Sequence, residues 1–275
     1  MNPVSNTAFY CCGVRMDDAN RKRSICNDIH AGTFMDARGL EIFAPFRSET
    51  MPNISNISRC RIIDDHVSAE LGKSPSASVV TIGAGFDTRP YRLRGGDWLE
   101  LDEPQLIEYK NRRLPVSECD NPLTRIAIDF AGESLHEKLS GIETTSPVII
   151  VIEGVFMYLD PVAIAQTLQQ VQQRFPRHAL LCDLMTRRFF DRFAQGVHGK
   201  LVAAGGHFSD RPENPITIFL DNDYRLAESV PMLKRANELG LLWDELRLPS
   251  IIFSLVLNIF MRDLQGYAVH RFDFG

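Results

Sequence analysis

The stretch SVVTIGAGFDTRPYRL, residues 78–93, sets two glycines, Gly83 and Gly85, directly after an apolar run and an acid and a base, Asp87 and Arg89, directly after the glycines. A backbone without side chains lets a ligand come close where any Cβ would intervene. More acids follow: Asp102 closes DWLELD, Asp129 closes TRIAID, Glu153 closes PVIIVIE, and Asp183 sits late in HALLCDL. If each apolar run is a strand of one parallel sheet, these carboxylates share the carboxyl-end rim, where open α/β sheets bind ligands. An acid about 20 residues beyond a glycine turn, at the end of the next strand, can take two ribose hydroxyls. Asp102 stands 17 residues after Gly85 and fits that role. The chemistry indicated is the binding of an adenosine-containing cofactor. A dinucleotide wants a third glycine opening straight into a helix under its pyrophosphate; here that position is Thr88, followed by Arg89 and Pro90. S-adenosylmethionine has no phosphate, and acids favour its sulfonium charge. The residues favour S-adenosylmethionine and leave open a nicotinamide dinucleotide or a glycine turn with ordinary polar strand ends.

Positioning these groups takes alternating strands and helices. Strands are expected at 78–83, 97–102, 124–129, 147–153 and 178–184, with the last two at 243–248 and 266–272. The run 147–153 is apolar throughout, as a central strand buried on both faces should be. Helices are expected at 62–71, 103–114, 161–175 and 232–239; Asp160 caps the third, Pro161 suits its first position, and Ile164, Leu168, Val171 and Phe175 line one face. Such alternation predicts an α/β fold with a parallel sheet and right-handed crossovers. Residues 1–74 read as a helical N-terminal lid, and 75–275 as the core, with an insertion at about 185–224.

Composition narrows the partners. A net charge of −5 over 275 residues argues against a nucleic-acid partner. No apolar run reaches the roughly 18 residues a membrane helix needs, and the N-terminus lacks a signal-peptide pattern; a cytoplasmic protein is expected. The six cysteines form no Cys-x-x-Cys pair and read as free thiols, and the seven histidines show no metal-ligand spacing, so no metal is expected.

The segments GAGFDTRPYRL (83–93), ELDEP (100–104), AIDF (127–130) and IEGVFMYL (152–159), with TAFYCCGVRMDDA (7–19) and SRCRIIDD (58–65), resemble the leucine carboxyl methyltransferase family. That family includes protein phosphatase carboxyl methyltransferases and bacterial tailoring enzymes of the tetracenomycin carboxyl methyltransferase type. The likeness covers most of residues 7–184. It implies a Rossmann-like class I methyltransferase fold, a mostly parallel seven-stranded sheet with helices on both faces, and S-adenosyl-L-methionine as cofactor. It also implies roles for residues of this chain. Gly83 would lie under the methionine portion; Gly85 and Asp87 are counted with it as cofactor-binding, with Asp87 and Arg89 open to the other reading of a local turn-stabilising pair. Asp102 would bind the ribose, Asp129 and Phe130 the adenine, and Glu153 would lie near the methionine end. Arg59, or Arg61, would pair with the cofactor carboxylate, and Tyr158 would stand near the transferred methyl as a positioning group.

Methyl transfer from a sulfonium is an in-line displacement, in which alignment contributes most of the rate. A carboxylate nucleophile, with a pKa of about 4, needs no general base at neutral pH, whereas a phenol does. His66, His207 and Tyr158 are the only base candidates, and none has a partner in sequence. The expected reaction is therefore O-methylation of a small-molecule carboxylate in secondary metabolism, such as polyketide biosynthesis. A protein C-terminal carboxylate, or a phenol or hydroxyl of a small molecule, stays open. The substrate would meet residues 1–57, the insertion with Arg187, Arg188, Arg192, Arg211, Phe189, Phe190, Phe193 and Phe208, and the apolar stretch 251–261.

Overall fold

A computed structural model describes residues 3–144, 147–209, 212–247, 249 and 262–275. Seven strands form one sheet: β1 (Ser78–Ile82), β2 (Asp97–Asp102), β3 (Leu123–Ala127), β4 (Val148–Ile152), β5 (His178–Met185), β6 (Arg225–Pro231) and β7 (Tyr267–Phe274). Their order is β3-β2-β1-β4-β5-β7-β6. The first five run parallel, and β7 lies antiparallel between β5 and β6. The chain builds outward from β1 to β3 on one side and from β4 to β5 on the other. The crevice between the tips of β1 and β4 is thus a topological switch point, where parallel sheets take ligands.

Strand residues alternate between two cores, as a period of two requires. Val79, Trp98, Ile149 and Val151 pack on one face with the helices Thr7–Ala19, Thr50–Lys73 and Met232–Glu238. Val80, Leu99, Leu101, Ile150 and Ile152 pack on the other with Leu135–Ser140 and Pro161–Arg174. The Asp160 side chain accepts from the Ala163 N–H at 2.8 Å, so the cap and the proline expected of that helix are in place.

Two expectations fail. Residues 243–248 do not form a strand: Leu241–Leu246 is a short helix that buries Leu241 and Leu242 and ends at Arg247 with φ +56°. The sixth strand is instead Arg225–Pro231, at the sheet edge and largely exposed, with an irregularity between Leu226 and Glu228. An edge strand needs no apolar run, so RLAESVP carries no buried-strand signal. The Thr50–Lys73 helix also begins well before the expected residue 62.

Burial holds three histidines, His66, His178 and His270, below the usual imidazole value, His270 at about 4. His270 is buried on β7, and its Nδ1 has no hydrogen-bond partner. A histidine that stays neutral in the fold but protonates in the unfolded chain favours folding at and above pH 6.5, and that contribution is lost as the pH falls toward 4. For His270 the full loss is roughly 3 kcal/mol. Urea melts at descending pH should therefore show stability falling well before ordinary carboxylates titrate. The fall should be shallower in His270→Gln; an identical slope in that variant would remove the assignment.

Candidate functional site

The glycine turn is built by its contacts with β2. The N–H groups of Gly83 and Ala84 both donate to the Leu101 carbonyl, at 2.9 and 3.0 Å. The Gly85 N–H donates to Asp102 Oδ2 at 2.6 Å, and the Glu103 N–H to Asp102 Oδ1 at 2.7 Å. Asp102 is therefore not a free rim acid. It is buried and pins the turn to the tip of β2 while lining the cavity. Burial pushes its pKa up, and the two amides pull it back. Each carboxylate oxygen keeps lone-pair capacity for a ligand hydroxyl. Gly83 has φ +72°, and a Cβ there would lie 2.5 Å from Val155 Cγ2.

Glu153, one residue past β4, lies between two buried guanidinium groups. Arg59 Nε donates to its Oε1 at 2.9 Å, and Arg89 Nη2 reaches its Oε2 at 2.8 Å. Burial alone would raise the Glu153 carboxyl, but Arg89 and Arg59 hold it below the usual value. Arg59 Nη1 donates to Asp183 Oδ2 at 3.1 Å and to the Tyr267 hydroxyl at 2.8 Å. Arg61 turns away to Asp65, so of the two arginines it is Arg59 that reaches the strand tips. Arg89 also holds Asp87 at 3.0 Å and Asp64 at 2.6 Å. Burial opposes ionisation of Asp87, yet Arg89 keeps its carboxyl far below the carboxylate range. Asp87 and Arg89 thus form the local turn pair, and Asp87 still lines the cavity.

The network extends to residues that no motif marks. Arg15 donates to Asp28 at 2.8 Å and to the Phe86 carbonyl at 2.7 Å, while Arg92 holds Asp64 at 2.8 Å. These residues come from separate helices and loops, and only their closure in space reveals them. Asn56 and Cys11, also in the wall, could have been found by stepping back one turn from Arg59 and forward one turn from Thr7.

Beyond β3 the placement differs from expectation. Asp129 is exposed and accepts the Ala131 N–H at 2.9 Å, stabilising its own turn. The cavity wall there is made by Phe130, Glu103 and Glu133. Phe130 is 44% exposed, a ring at the mouth.

From these tips a cavity of about 820 Å³ runs under the Thr7–Ala19 and Thr50–Lys73 helices to an apolar end formed by Phe189, Phe193, Val197, Leu201 and Phe208. Tyr158 stands in the wall between the two regions, hydrogen-bonded to Thr7 and set edge-on to Phe208 at 5.2 Å. Burial pushes its phenol up to about 12. A local π-helical turn, Phe190–Ala194, carries Arg192 and Phe193 to this end; Arg192 pairs with Asp263 at 2.5 Å. Phe190 packs instead on His198 and Phe208. No histidine lines the cavity among the described residues. His66 lies 3.8 Å from Glu228, and His207 packs against His198. Arg187 and Arg188 are not in the wall. Arg211 and 251–261 lie outside the described residues. No metal-binding group of three or more His, Cys, Asp or Glu side chains occurs among the described residues, and no described helix is long and apolar enough to cross a membrane.

The residues fit S-adenosylmethionine on the structure's own terms. A bare turn at the switch point would be closed by a single Cβ at Gly83, an acid holds the second strand's tip, and carboxylates rim the crevice. With this strand order, the fold is that of the class I, S-adenosylmethionine-dependent methyltransferases. More narrowly, the chain belongs to the leucine carboxyl methyltransferase family, whose model matches residues 13–172. A Mycobacterium ulcerans relative, a methyltransferase using S-adenosyl-L-methionine by inference, is 28% identical over 184 residues, 58% of this chain. The chain spans only 59% of that relative's length. The tetracenomycin polyketide synthesis O-methyltransferase TcmP of Streptomyces glaucescens is 25% identical over 183 residues, 66% of this chain and 65% of its own. Among solved structures, a DUF574 family protein from Streptomyces avermitilis shares the fold at a TM-score of 0.61 and 12% identity, over 96% of this chain and 97% of the other.

Proposed function

We propose that the chain is an S-adenosylmethionine-dependent O-methyltransferase that esterifies a carboxylate on a small, largely apolar molecule. When bound, the cofactor supplies a methyl group activated by a positive sulfonium. The Gly83–Gly85 turn, Asp102, Phe130 and Glu103 would hold its adenosine, and the Arg59–Glu153 region its methionine end. The Phe189, Phe193 and Phe208 rings would hold the substrate body and exclude water, and Tyr158 would orient the reacting oxygen. The N-terminal helices and the segment after β5 would together roof the substrate.

One observation carries this reading: the wall around Tyr158 offers hydrogen-bond donors rather than a proton acceptor. The Tyr158 phenol, pushed up to about 12, is protonated at neutral pH and bonded to Thr7, and the wall carboxylate Glu153 and nearby Asp183 are already paired with Arg59. Such a wall suits a nucleophile that arrives already ionised, as a carboxylate of pKa about 4 does. The likeness to TcmP, named as an O-methyltransferase of polyketide synthesis, supports transfer to an oxygen of a small molecule.

The test is transfer from methyl-labelled cofactor to a panel of aromatic acids, the matching phenols, and a peptide with a free C-terminus. Base-labile label on the acids is expected, at a rate nearly flat from about pH 6 to about pH 9. Base-stable ethers, label on the peptide alone, or a rate climbing with pH would reject the reading.

A further inference from the structure

The helix Gln195–Ala203 runs out beside Tyr158 in a turn at Ala204, Gly205 and Gly206, whose N–H groups donate back to the carbonyls of Lys200, Val202 and Leu201 at 3.1, 3.0 and 2.8 Å. Two further bonds fasten this turn to its surroundings. Asn6, the residue before the Thr7–Ala19 helix, does not cap that helix; its Nδ2 donates to the Ala204 carbonyl at 3.3 Å. The Ser209 N–H donates at 3.0 Å to the carbonyl of Met157, the neighbour of Tyr158. Gly206 is buried between these two anchors, outside the cavity wall.

A Cβ on Gly206 would stand 2.7 Å from Thr7 Cγ2 and 3.2 Å from Tyr158 Cε1. Carbon atoms rest about 3.5–4.0 Å apart, so the bare backbone is what lets the Thr7 methyl lie there. Threonine carries its methyl and its hydroxyl on one carbon, and a single stiff torsion places both. With the methyl seated against Gly206, the Thr7 hydroxyl is left on the Tyr158 phenol. A side chain at position 206 would be relieved in one of two ways. Thr7 turns about χ1 and takes its hydroxyl off Tyr158, or the Tyr158 ring itself moves. Backing the turn away instead would break the bonds from Asn6 and Ser209. Thr7 and Tyr158 both line the cavity, so either relief reshapes its wall.

We propose that Gly206 is a positioning residue for the methyl transfer: its bare backbone seats the Thr7 methyl, and so keeps the Thr7 hydroxyl on Tyr158 and the phenol set against the reacting oxygen. The assignment rests on the reading above, in which Tyr158 orients that oxygen. Gly206 lies outside the cavity wall and acts through Thr7. A role confined to ending the helix would be indifferent to what Thr7 carries, and the experiment uses that difference.

Gly206→Ala forces a displacement of roughly 1 Å onto Thr7 or Tyr158. Misplacement on that scale costs about ten- to a hundredfold in rate. The expected result is a kcat loss of about tenfold or more with the best acid of the panel above, its KM and the S-adenosylhomocysteine affinity each staying within about twofold. Adding Thr7→Ser, which keeps the hydroxyl and removes the methyl, should return kcat to within about threefold of the parent. The 3.2 Å contact with the Tyr158 ring keeps that recovery incomplete. Thr7→Val, which leaves Gly206 in place but has no hydroxyl, should reproduce the loss and serves if Gly206→Ala does not fold. A second readout needs no turnover: NMR of the full chain carrying carbon-13 at tyrosine Cζ, the carbon that bears the hydroxyl. The Tyr158 line is the one missing from Tyr158→Phe. Gly206→Ala and Thr7→Val should each shift it, and Thr7→Ser added to Gly206→Ala should bring it back toward its parent position.

An unshifted Tyr158 line in Gly206→Ala, a parental kcat in that variant, or a loss that Thr7→Ser leaves untouched overturns the assignment. So does a fall in S-adenosylhomocysteine affinity of about tenfold, which would spread the effect over the whole cavity. A shifted and rescued line in a protein that forms no ester loses the proposed reaction and keeps Gly206 as the residue that seats Thr7. Ester formation with a line that never moves does the reverse.

Discussion

Replacing Glu153 with leucine is expected to lower the folding stability by about 3–5 kcal/mol, the cost of removing one partner from a buried ion pair. The carboxylate neutralises Arg59 and Arg89 at once, through separate oxygens. Both guanidinium groups are 5% exposed or less, so neither can turn to water when the acid is gone. Arg59 would keep Asp183, and Arg89 would keep Asp87 and Asp64, which sets the loss toward the lower end of that range. Glu153→Gln retains one acceptor and should lose less. Urea denaturation of the three proteins measures this directly. A leucine variant within about 1 kcal/mol of the parent would show that the remaining carboxylates suffice.

The second large effect falls on binding rather than folding. Gly83→Ala should weaken S-adenosylhomocysteine binding by about a hundredfold, ~2.7 kcal/mol, in calorimetry on folded protein. Two costs combine. The backbone at φ +72° disfavours any side chain, and the new Cβ would meet Val155 Cγ2 at 2.5 Å. Relief requires the turn or the Val155 loop to move, and both line the crevice that would hold the methionine end. Adding Val155→Ala should recover part of the affinity, because it removes the clash but not the backbone strain. Full recovery would mean that the left-handed conformation has no part in shaping the site, and unchanged affinity in Gly83→Ala alone would remove the turn from the cofactor's surroundings.

What the sequence discloses tracks what local physics determines. The parallel strands are legible because burial on both faces demands β-branched runs, as in Val148–Ile152. Arg225–Pro231 is illegible because an edge strand makes no such demand. The start of the Thr50–Lys73 helix is hidden for the opposite reason: buried residues such as Ile54, Ile57, Arg59 and Ile62 face several neighbours, so no single apolar stripe marks it. Acids at strand ends are likewise readable by position. Their partners are not, since Arg59 meets Glu153 across 94 residues and Asp183 across 124. Asp129 shows the limit of reading a motif: its position at the end of β3 is as expected, but its carboxylate closes a turn rather than facing the cavity.

The buried arginines also decide how this cavity can open. Arg15 and Arg59 belong to the two long N-terminal helices, and each is fastened to partners that lie on or next to the sheet. Swinging those helices outward would strand several ions in a medium that cannot solvate them, at several kcal/mol apiece. The N-terminal segment is riveted, not hinged. Passage in and out belongs instead to the ends of the cavity that hold fewer buried ions: Phe130 stands half in water at the strand-tip end, and Arg192 meets Asp263 at the protein surface at the other, so among the described residues the donor and the acceptor of the methyl group have separate approaches.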